Sequence, residues 1–349
     1  MEGPHLILQI GLGNFGRNHL YAWHELGCRD RLRVAELDPA RHSTAIALGF
    51  PKEQISADVD AFWGEAAIVD VVTGTDTHFP LCRRALDDGK DVFVEKPMTL
   101  TAADARVLAD TVARTGRLLQ VGYYYRYHPI STFLHQLVSS GELGPLRYVY
   151  GNFMGFKRAR TDVGVMHTDG IHFIDLVNWL LGALPLDVYA VTRDHFGRGL
   201  EDLAIALFTY PGNVVSKIEA GYIEPGQWRD KVVPGAMTTK TLTLVGSQRT
   251  ASADFESETL EVFDVHHELR DGVWAAVNNG SRKVPVGTAT PIQQVAAELR
   301  DFLRCVERRA QPGPDAEGCG VALAQAIEGI YASAREKRRI DLDTAPRQL

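Results

Sequence analysis

The sequence predicts an α/β domain on a parallel sheet, followed by an α+β domain with a large, mostly antiparallel sheet. Three observations lead there. Up to about residue 123, short apolar runs alternate with segments of helical spacing. A glycine-punctuated turn joins the first run to the first helix, and from 186 onward strand signals follow one another without helices between them. Alternating strands and helices give a parallel sheet covered on both faces, whereas uninterrupted successions of strands pair antiparallel.

Taken in order, "HLILQIG" (5–11) is the first strand, and "NFGRNHLYAWHELG" has helical spacing up to a stop at Gly27. Strands follow at 31–38 and 68–75. A helix is expected over Pro80–Asp88, with Pro in its first turn and Gly89 beyond its end. "DVFVE" (91–95) is a buried strand. Thr101 and Asp104 form a capping box for a helix to Arg114 that Gly116 ends, and 117–123 is another strand. "PISTFLHQLVSSGELG" is helical, 146–156 is a longer strand, and 169–182 is an apolar helix stopped by Gly182. Strands fill 186 to about 265, and helices near 292–309 and 319–337 close the chain. The expected domains are 1–123 and 124–349, with the last helix free to pack back on the first domain.

Bulk properties exclude several classes. The 349-residue chain carries a formal net charge of −7, which offers no electrostatic footprint for nucleic acid or an anionic membrane. Its apolar runs fall short of the ~20 residues of a spanning helix, and "MEGPHLILQIGLG" does not read as a signal peptide. Cys28, Cys82, Cys305 and Cys319 have no CxxC or zinc-like spacing, so they read as reduced thiols of a cytoplasmic protein, and no metal is expected.

"GLGNFG" (11–16) follows the first strand and opens the first helix, where a dinucleotide's pyrophosphate is held. Gly11 permits the tight turn, Gly13 lets the backbone approach phosphate, and Gly16 allows close helix–sheet packing; Asn14 and Phe15 lie within the same cofactor-binding turn. Asp38, at the expected end of the second strand, has the roughly 20-residue spacing of the acid that accepts hydrogen bonds from the adenosine ribose. A carboxylate there favours NAD; nearby Arg41 keeps NADP possible.

The strand "DVFVE" runs into Glu95-Lys96-Pro97. A strand-to-loop exit would explain these residues, but strand ends of an open α/β sheet also face the ligand crevice, which aims the Lys96 ammonium at bound ligand. On the 169–182 helix, Thr168, Asp169, His172 and Asp175 are neighbours at spacings of three and four. A histidine flanked by carboxylates suits a general base, although a packed helix histidine has the same pattern.

Together, the Gly11–Gly16 turn, "TGTDTH" (73–78), "GKDVFVEKP" (89–97) and "GIHFIDLVNWLLG" (170–182) resemble the Gfo/Idh/MocA oxidoreductase family across nearly the whole chain. The resemblance implies that Lys96 contacts both the nicotinamide ribose and a substrate hydroxyl, and that Glu95 helps hold the cofactor. It also implies that the loop bearing Thr73, Gly74 and His78 passes beneath the dinucleotide. The family usually has Thr-Pro where this chain has Thr73-Gly74, a change expected to loosen the loop. It implies catalysis by His172, but the family's Asp four residues before it is Thr168 here. Either Asp169 orients the histidine, or the proton relay differs. "VGYYYRYHP" (121–129) matches the crossing between domains, with Arg126 at the family's arginine, while its tyrosines, Tyr124 among them, flank either a ligand or the interdomain packing. Lys157, Arg158 and Arg160 are either a solvated face or a grip on an anionic substrate.

The implied activity is NAD(P)-dependent hydride transfer to or from a secondary alcohol or ketone of a sugar, cyclitol or nucleotide-sugar. His172 handles the proton and Lys96 the developing oxyanion. Two alternatives stand beside it: redox-assisted glycoside cleavage with tightly bound NAD, and a cofactor-sensing regulatory protein. The expected partner is a small sugar-like molecule, and the expected assembly is a homodimer or homotetramer through the second-domain sheet.

Overall fold

The computed structural model describes residues 5–343. Six strands, β1 (Ile7–Ile10), β2 (Leu32–Ala35), β3 (Ile55–Ser56), β4 (Ile68–Val71), β5 (Asp91–Glu95) and β6 (Leu119–Gly122), form a parallel sheet in the order β3-β2-β1-β4-β5-β6. Every residue of β1, β4, β5 and β6 is buried, so both faces of these strands are covered, as their continuous apolar runs require. The sheet grows outward in opposite directions from β1 and β4. Their carboxyl ends therefore flank the switch point where such sheets receive ligands.

The connecting helices of this region are α1 (Gly16–Glu25), α2 (His42–Ala47), α3 (Asp60–Trp63), α4 (Thr75–Asp87) and α5 (Ala102–Thr115). Half of the expected capping box of α5 is present: Thr101 Oγ1 accepts from Asp104 N–H at 3.0 Å, while the Asp104 carboxylate accepts from the Thr101 hydroxyl at 2.8 Å; Gly116 ends the helix at φ 63°. The start of α4 is not. It begins at Thr75, after Gly74 as N-cap, and takes Pro80 into its body. Proline removes one N–H···O=C bond there, in a helix whose packing on β4, β5 and α5 tolerates the loss.

The next part of the chain gives α6 (Pro129–Ser139), β7 (Leu146–Phe156), α7 (Ile171–Leu181), β8 (Asp187–Arg193), β9 (Leu203–Tyr210) and β10 (Val214–Gly221). Further along come β11 (Trp228–Arg229), β12 (Met237–Gly246), β13 (Thr250–Asp254), β14 (Thr259–Arg270) and β15 (Val273–Val284). With β16 (Ile340–Asp341) they make a ten-stranded sheet, ordered β15-β14-β13-β12-β7-β10-β9-β8-β16 with β11 on β12. Only the β7–β10 pair is parallel. The polar β15 was not foreseen as a strand; it forms as the antiparallel return of β14 through Asp271-Gly272, both at positive φ. On the inner face Gly151 lets Phe173 of α7 approach so closely that a Cβ would stand 2.7 Å from its ring.

The chain ends with α8 (Pro291–Arg308) and α9 (Ala322–Glu336). It divides into two compact units, Met1–Tyr127 with Thr290–Ala324, and His128–Ala289 with Gln325–Leu349. The boundary falls at 127/128 where 123/124 was expected, and the segment that returns to the first unit is Thr290–Ala324, with most of the last helix, α9, in the second. Residues from Thr290 join the first unit because α8 buries Val295, Leu299, Phe302 and Val306 along one face and packs on α1. Among the described residues no helix is long and apolar enough to cross a membrane.

Candidate functional site

The glycine turn is built by close approaches. Gly11 lies at φ 105°, and a Cβ on it would stand 2.4 Å from the Val72 carbonyl oxygen. A Cβ on Gly16 would stand 2.4 Å from the Gly11 carbonyl oxygen, so the start of α1 lies directly on the strand exit. Gln9 ties the two together, its Nε2 donating to the carbonyls of Gly11 and Gly16 at 2.9 and 2.8 Å. Gly13 is different. The nearest protein atom to a Cβ there would be Arg41 Nη1 at 3.8 Å, so packing does not account for the missing side chain, and the bare backbone leaves room for close approach. No side chain caps the N-terminus of α1 at Phe15, which leaves its first-turn N–H groups and dipole to an anion. Asn14 Oδ1 accepts from Arg17 at 3.1 Å, and the Phe15 ring packs 5.6 Å from Tyr124.

β2 ends at Ala35, so the acid at its end is Glu36, two residues before the expected Asp38. Glu36 is buried; its Oε2 accepts from Leu12 N–H of the glycine turn at 2.6 Å and its Oε1 from Asp38 N–H at 2.9 Å. Asp38 is exposed and caps the short turn Pro39–Arg41, its Oδ1 accepting from Ala40 N–H at 3.0 Å. Arg41 reaches both acids, 3.7 Å from Glu36 and 3.4 Å from Asp38.

Gly74 has φ −66° and ψ 143°, values that proline also adopts, so Thr-Pro could take the same backbone here. Thr73 and Thr77 hydroxyls lie 2.6 Å apart. Buried His78 places Nδ1 2.8 Å from the Pro97 carbonyl oxygen and Nε2 3.3 Å from that of Thr73, linking this loop to the end of β5. There the Lys96–Pro97 bond is cis, Lys96 is half-buried, and Glu95 is buried with its Oε2 accepting from Lys96 N–H at 3.2 Å. Arg126 and Tyr124 are buried on the segment after β6, where Arg126 Nη2 lies 3.0 Å from Cys319 Sγ.

In the second unit, a π-helical turn, Met166–Gly170, leads into α7. It buries Thr168 and Asp169 and is followed by buried His172, whose ring stacks on Phe153 of β7 at 6.0 Å. Thr168 Oγ1 lies 2.5 Å from Tyr222 OH. The Asp169 carboxylate is held by Lys157, and the same ammonium lies 5.3 Å from the Phe153 ring. Burial, then the Asp169 charge, pushes the Tyr222 phenol well above its ordinary pKa, which keeps it a hydrogen-bonding hydroxyl. Of the basic run, Lys157 is thus an interior ion-pair partner, Arg158 is exposed, and Arg160 pairs with Asp162.

Residues 6–123 match the "Oxidoreductase family, NAD-binding Rossmann fold" domain of GFO/IDH/MocA, and residues 132–252 match the "GFO/IDH/MocA C-terminal domain". The chain belongs to the Gfo/Idh/MocA oxidoreductase family. It is 27% identical to D-apiose dehydrogenase of Paraburkholderia graminis, covering 95% of this chain and 88% of that one. It is also 27% identical to UDP-N-acetylglucosamine 3-dehydrogenase of Acidithiobacillus ferrooxidans, covering 85% and 87%. The solved structure of the Acidithiobacillus protein has a TM-score of 0.78 at 24% identity, covering 95% and 98%. Levoglucosan dehydrogenase, solved with NADH and L-sorbose, has a TM-score of 0.80 at 18% identity, covering 98% and 99%.

As a Gfo/Idh/MocA member the protein is an oxidoreductase with NAD as its cofactor. Sequence reasoning placed the strand-end acid at Asp38 because "ELDP" offers two acids on one strand face. The signal that separates them is Pro39: an Asp before Pro reads as a helical N-cap, which leaves Glu36 as the strand-end acid. Lys157 was missed as a partner for Asp169 because the two lie on different elements that only the fold brings together.

Proposed function

We propose that this protein moves hydride between NAD and a secondary alcohol or ketone carbon of a sugar, cyclitol or nucleotide-sugar. The observation that carries the reading is the Gly13 cradle at the switch point, with Lys96 at the end of the nearby strand β5. The names of the relatives support the substrate class. Gly11–Gly16 and the α1 N-terminus hold the pyrophosphate, and Glu36 rather than Asp38 accepts the adenosine ribose hydroxyls. Thr73 and Gly74 line the cofactor's path, His78 fixes their loop, and Glu95 and Arg126 support the nicotinamide end.

Bound NAD supplies the hydride acceptor. In the oxidising direction a ring nitrogen of His172 takes the hydroxyl proton, while the Lys96 ammonium stabilises the oxyanion that develops as hydride leaves the carbon. Asp169 orients this part of the site through its pair with Lys157, and Thr168 does so through Tyr222. Tyr124, Arg158 and Arg160 contribute to substrate binding, and exposed Arg158 is the cation best suited to an anionic group.

We further propose a cytoplasmic homo-oligomer. The outer face of the second unit's sheet carries the cross-strand row Tyr150, Lys217, Leu207 and Tyr189, with substantial apolar exposure, and a second copy would cover it. Cys28, Cys82, Cys305 and Cys319, as thiols, suit a reducing compartment. The reaction is tested by following nicotinamide absorbance with NAD and NADP against a panel of sugars, inositols and nucleotide-sugars. Turnover of none of them, with NADH still bound, would reject the substrate class.

A further inference from the structure

A buried charge cluster lies directly behind the Glu95–Lys96 corner, and the reaction outlined above gives it no role. His19 on α1 is fully buried. Its Nδ1 lies 3.0 and 3.2 Å from the two oxygens of Asp70 on β4, and its Nε2 lies 3.2 Å from Glu95 Oε1 on β5. Trp23 Nε1 donates to Asp70 Oδ2 at 2.7 Å, and the rings of Phe15 and Phe93 close off the site at 5.6 Å each. Behind Phe93 stands Phe302 of α8, which adds no charge. The charged groups facing the imidazole are therefore Asp70 and Glu95, with Lys96 next along the chain.

Each ring nitrogen faces a carboxylate. A neutral imidazole donates from one nitrogen only and would turn its lone pair on the other acid, whereas an imidazolium donates to both. Burial lowers the pKa of this ring, but the Asp70 and Glu95 carboxylates outweigh burial and hold it up, at about 10. Glu95 uses its second oxygen to accept from Lys96 N–H, and the absence of a side chain on Gly122 makes room for its first: a Cβ there would stand 2.4 Å from Oε1.

We propose that His19 is a positioning residue for the hydride-transfer reaction: as an imidazolium it pins the Glu95 carboxylate, which in turn fixes the backbone of Lys96 and the aim of its ammonium. This rests on the reading of Lys96 as the group that meets the substrate hydroxyl. No proton is transferred in this role. His19 keeps both its N–H groups throughout turnover.

Two measurements test it. In the wild-type protein with NADH bound, nitrogen-15 histidine NMR at about pH 8, between the ordinary value and about 10, should find both His19 nitrogens protonated. A neutral ring there overturns the proposal, whatever the variants do. His19→Gln keeps a donor but removes the charge. It should lower kcat roughly 10–100-fold, the scale of a misplaced catalytic group, and leave NADH affinity by fluorescence titration nearly unchanged. Glu95→Gln should lower kcat to a similar extent, and in the His19→Gln background it should add little further loss, because the two side chains act through one contact. The assay uses the best substrate of the sugar panel, with Lys96→Ala measured alongside. Parental turnover by Lys96→Ala removes the underlying reading. Loss of turnover by Lys96→Ala with a parental rate in His19→Gln, or losses from His19→Gln and Glu95→Gln that multiply in the double variant, overturns the role of His19 alone.

Discussion

Lys157 Nζ lies 2.9 and 2.8 Å from the two carboxylate oxygens of Asp169, and both side chains are almost excluded from water, at 9% and 8% exposure. The carboxylate three residues before His172 is thus the partner of a lysine that follows β7. Breaking a buried pair strands a charge, which typically costs about 3–5 kcal/mol, while removing both partners costs far less. Asp169→Asn should therefore lower the urea midpoint strongly, and the double variant Lys157→Met with Asp169→Asn should recover most of the loss. Equal losses in the single and double variants would contradict the pairing.

Glu36, between the glycine turn and Arg41, should set cofactor choice. Glu36→Gln removes the charge that accepts ribose hydroxyls and repels a 2′-phosphate, so NADH should bind roughly tenfold or more weakly. Its preference over NADPH should shrink, and Asp38→Asn should have the smaller effect. Fluorescence titration of both nucleotides checks this; a larger loss from Asp38→Asn would return the ribose contact to Asp38.

Much of this was legible in the sequence, and the reasons for success and failure are physical. The glycine turn, β5 and the caps of α5 depend on local rules, and they stand where those rules put them. β15 was invisible because its polar residues gain strand structure from pairing with β14, not from their own pattern. The start of α4 was missed because Pro80 normally marks a first turn. The π-helical turn before α7 carries no period that a 3.6-residue reading detects. Contacts such as His19 with Glu95, or Lys157 with Asp169, depend on tertiary proximity, which one sequence does not encode locally.

His128 should make stability depend on acid. Burial lowers its pKa to about 4, against partial opposition from Glu258 at 3.8 Å and with help from nearby Lys231. The unfolded chain takes up a proton near pH 6.5, the ordinary value, and the folded one only near 4. This contribution is therefore complete above 6.5 and lost as pH falls toward 4. The Nδ1 of His128 also caps α6 through Ile130 N–H at 3.1 Å, so His128→Asn keeps a cap while removing the titration. Thermal melts should show a smaller acid loss in His128→Asn than in the parent over that window; parallel curves would contradict the assignment.

The outer sheet face predicts self-association. Leu207→Arg puts a charge in the middle of the row formed by Tyr150, Lys217, Leu207 and Tyr189, at an exposed position of the outer face. Light scattering after size exclusion should find the parent as a dimer or tetramer and the variant smaller. A parent that runs as a monomer, or an unchanged variant, would free this face of that role.

The central claim is that Lys96 and His172 act in one chemical step on a substrate hydroxyl beside bound NAD. The most direct measurement is kcat for Lys96→Ala, His172→Ala and the double variant with the best substrate of the panel, alongside NADH affinity for His172→Ala. Each single change should lower kcat by about 10²–10⁴-fold, and the double variant should lose less than the product of the two losses. His172→Ala should bind NADH as the parent does, because Gly11–Gly16 and Glu36 hold the dinucleotide. Turnover by His172→Ala at the parental rate would contradict the claim and return the role of base to Asp169 or a tyrosine.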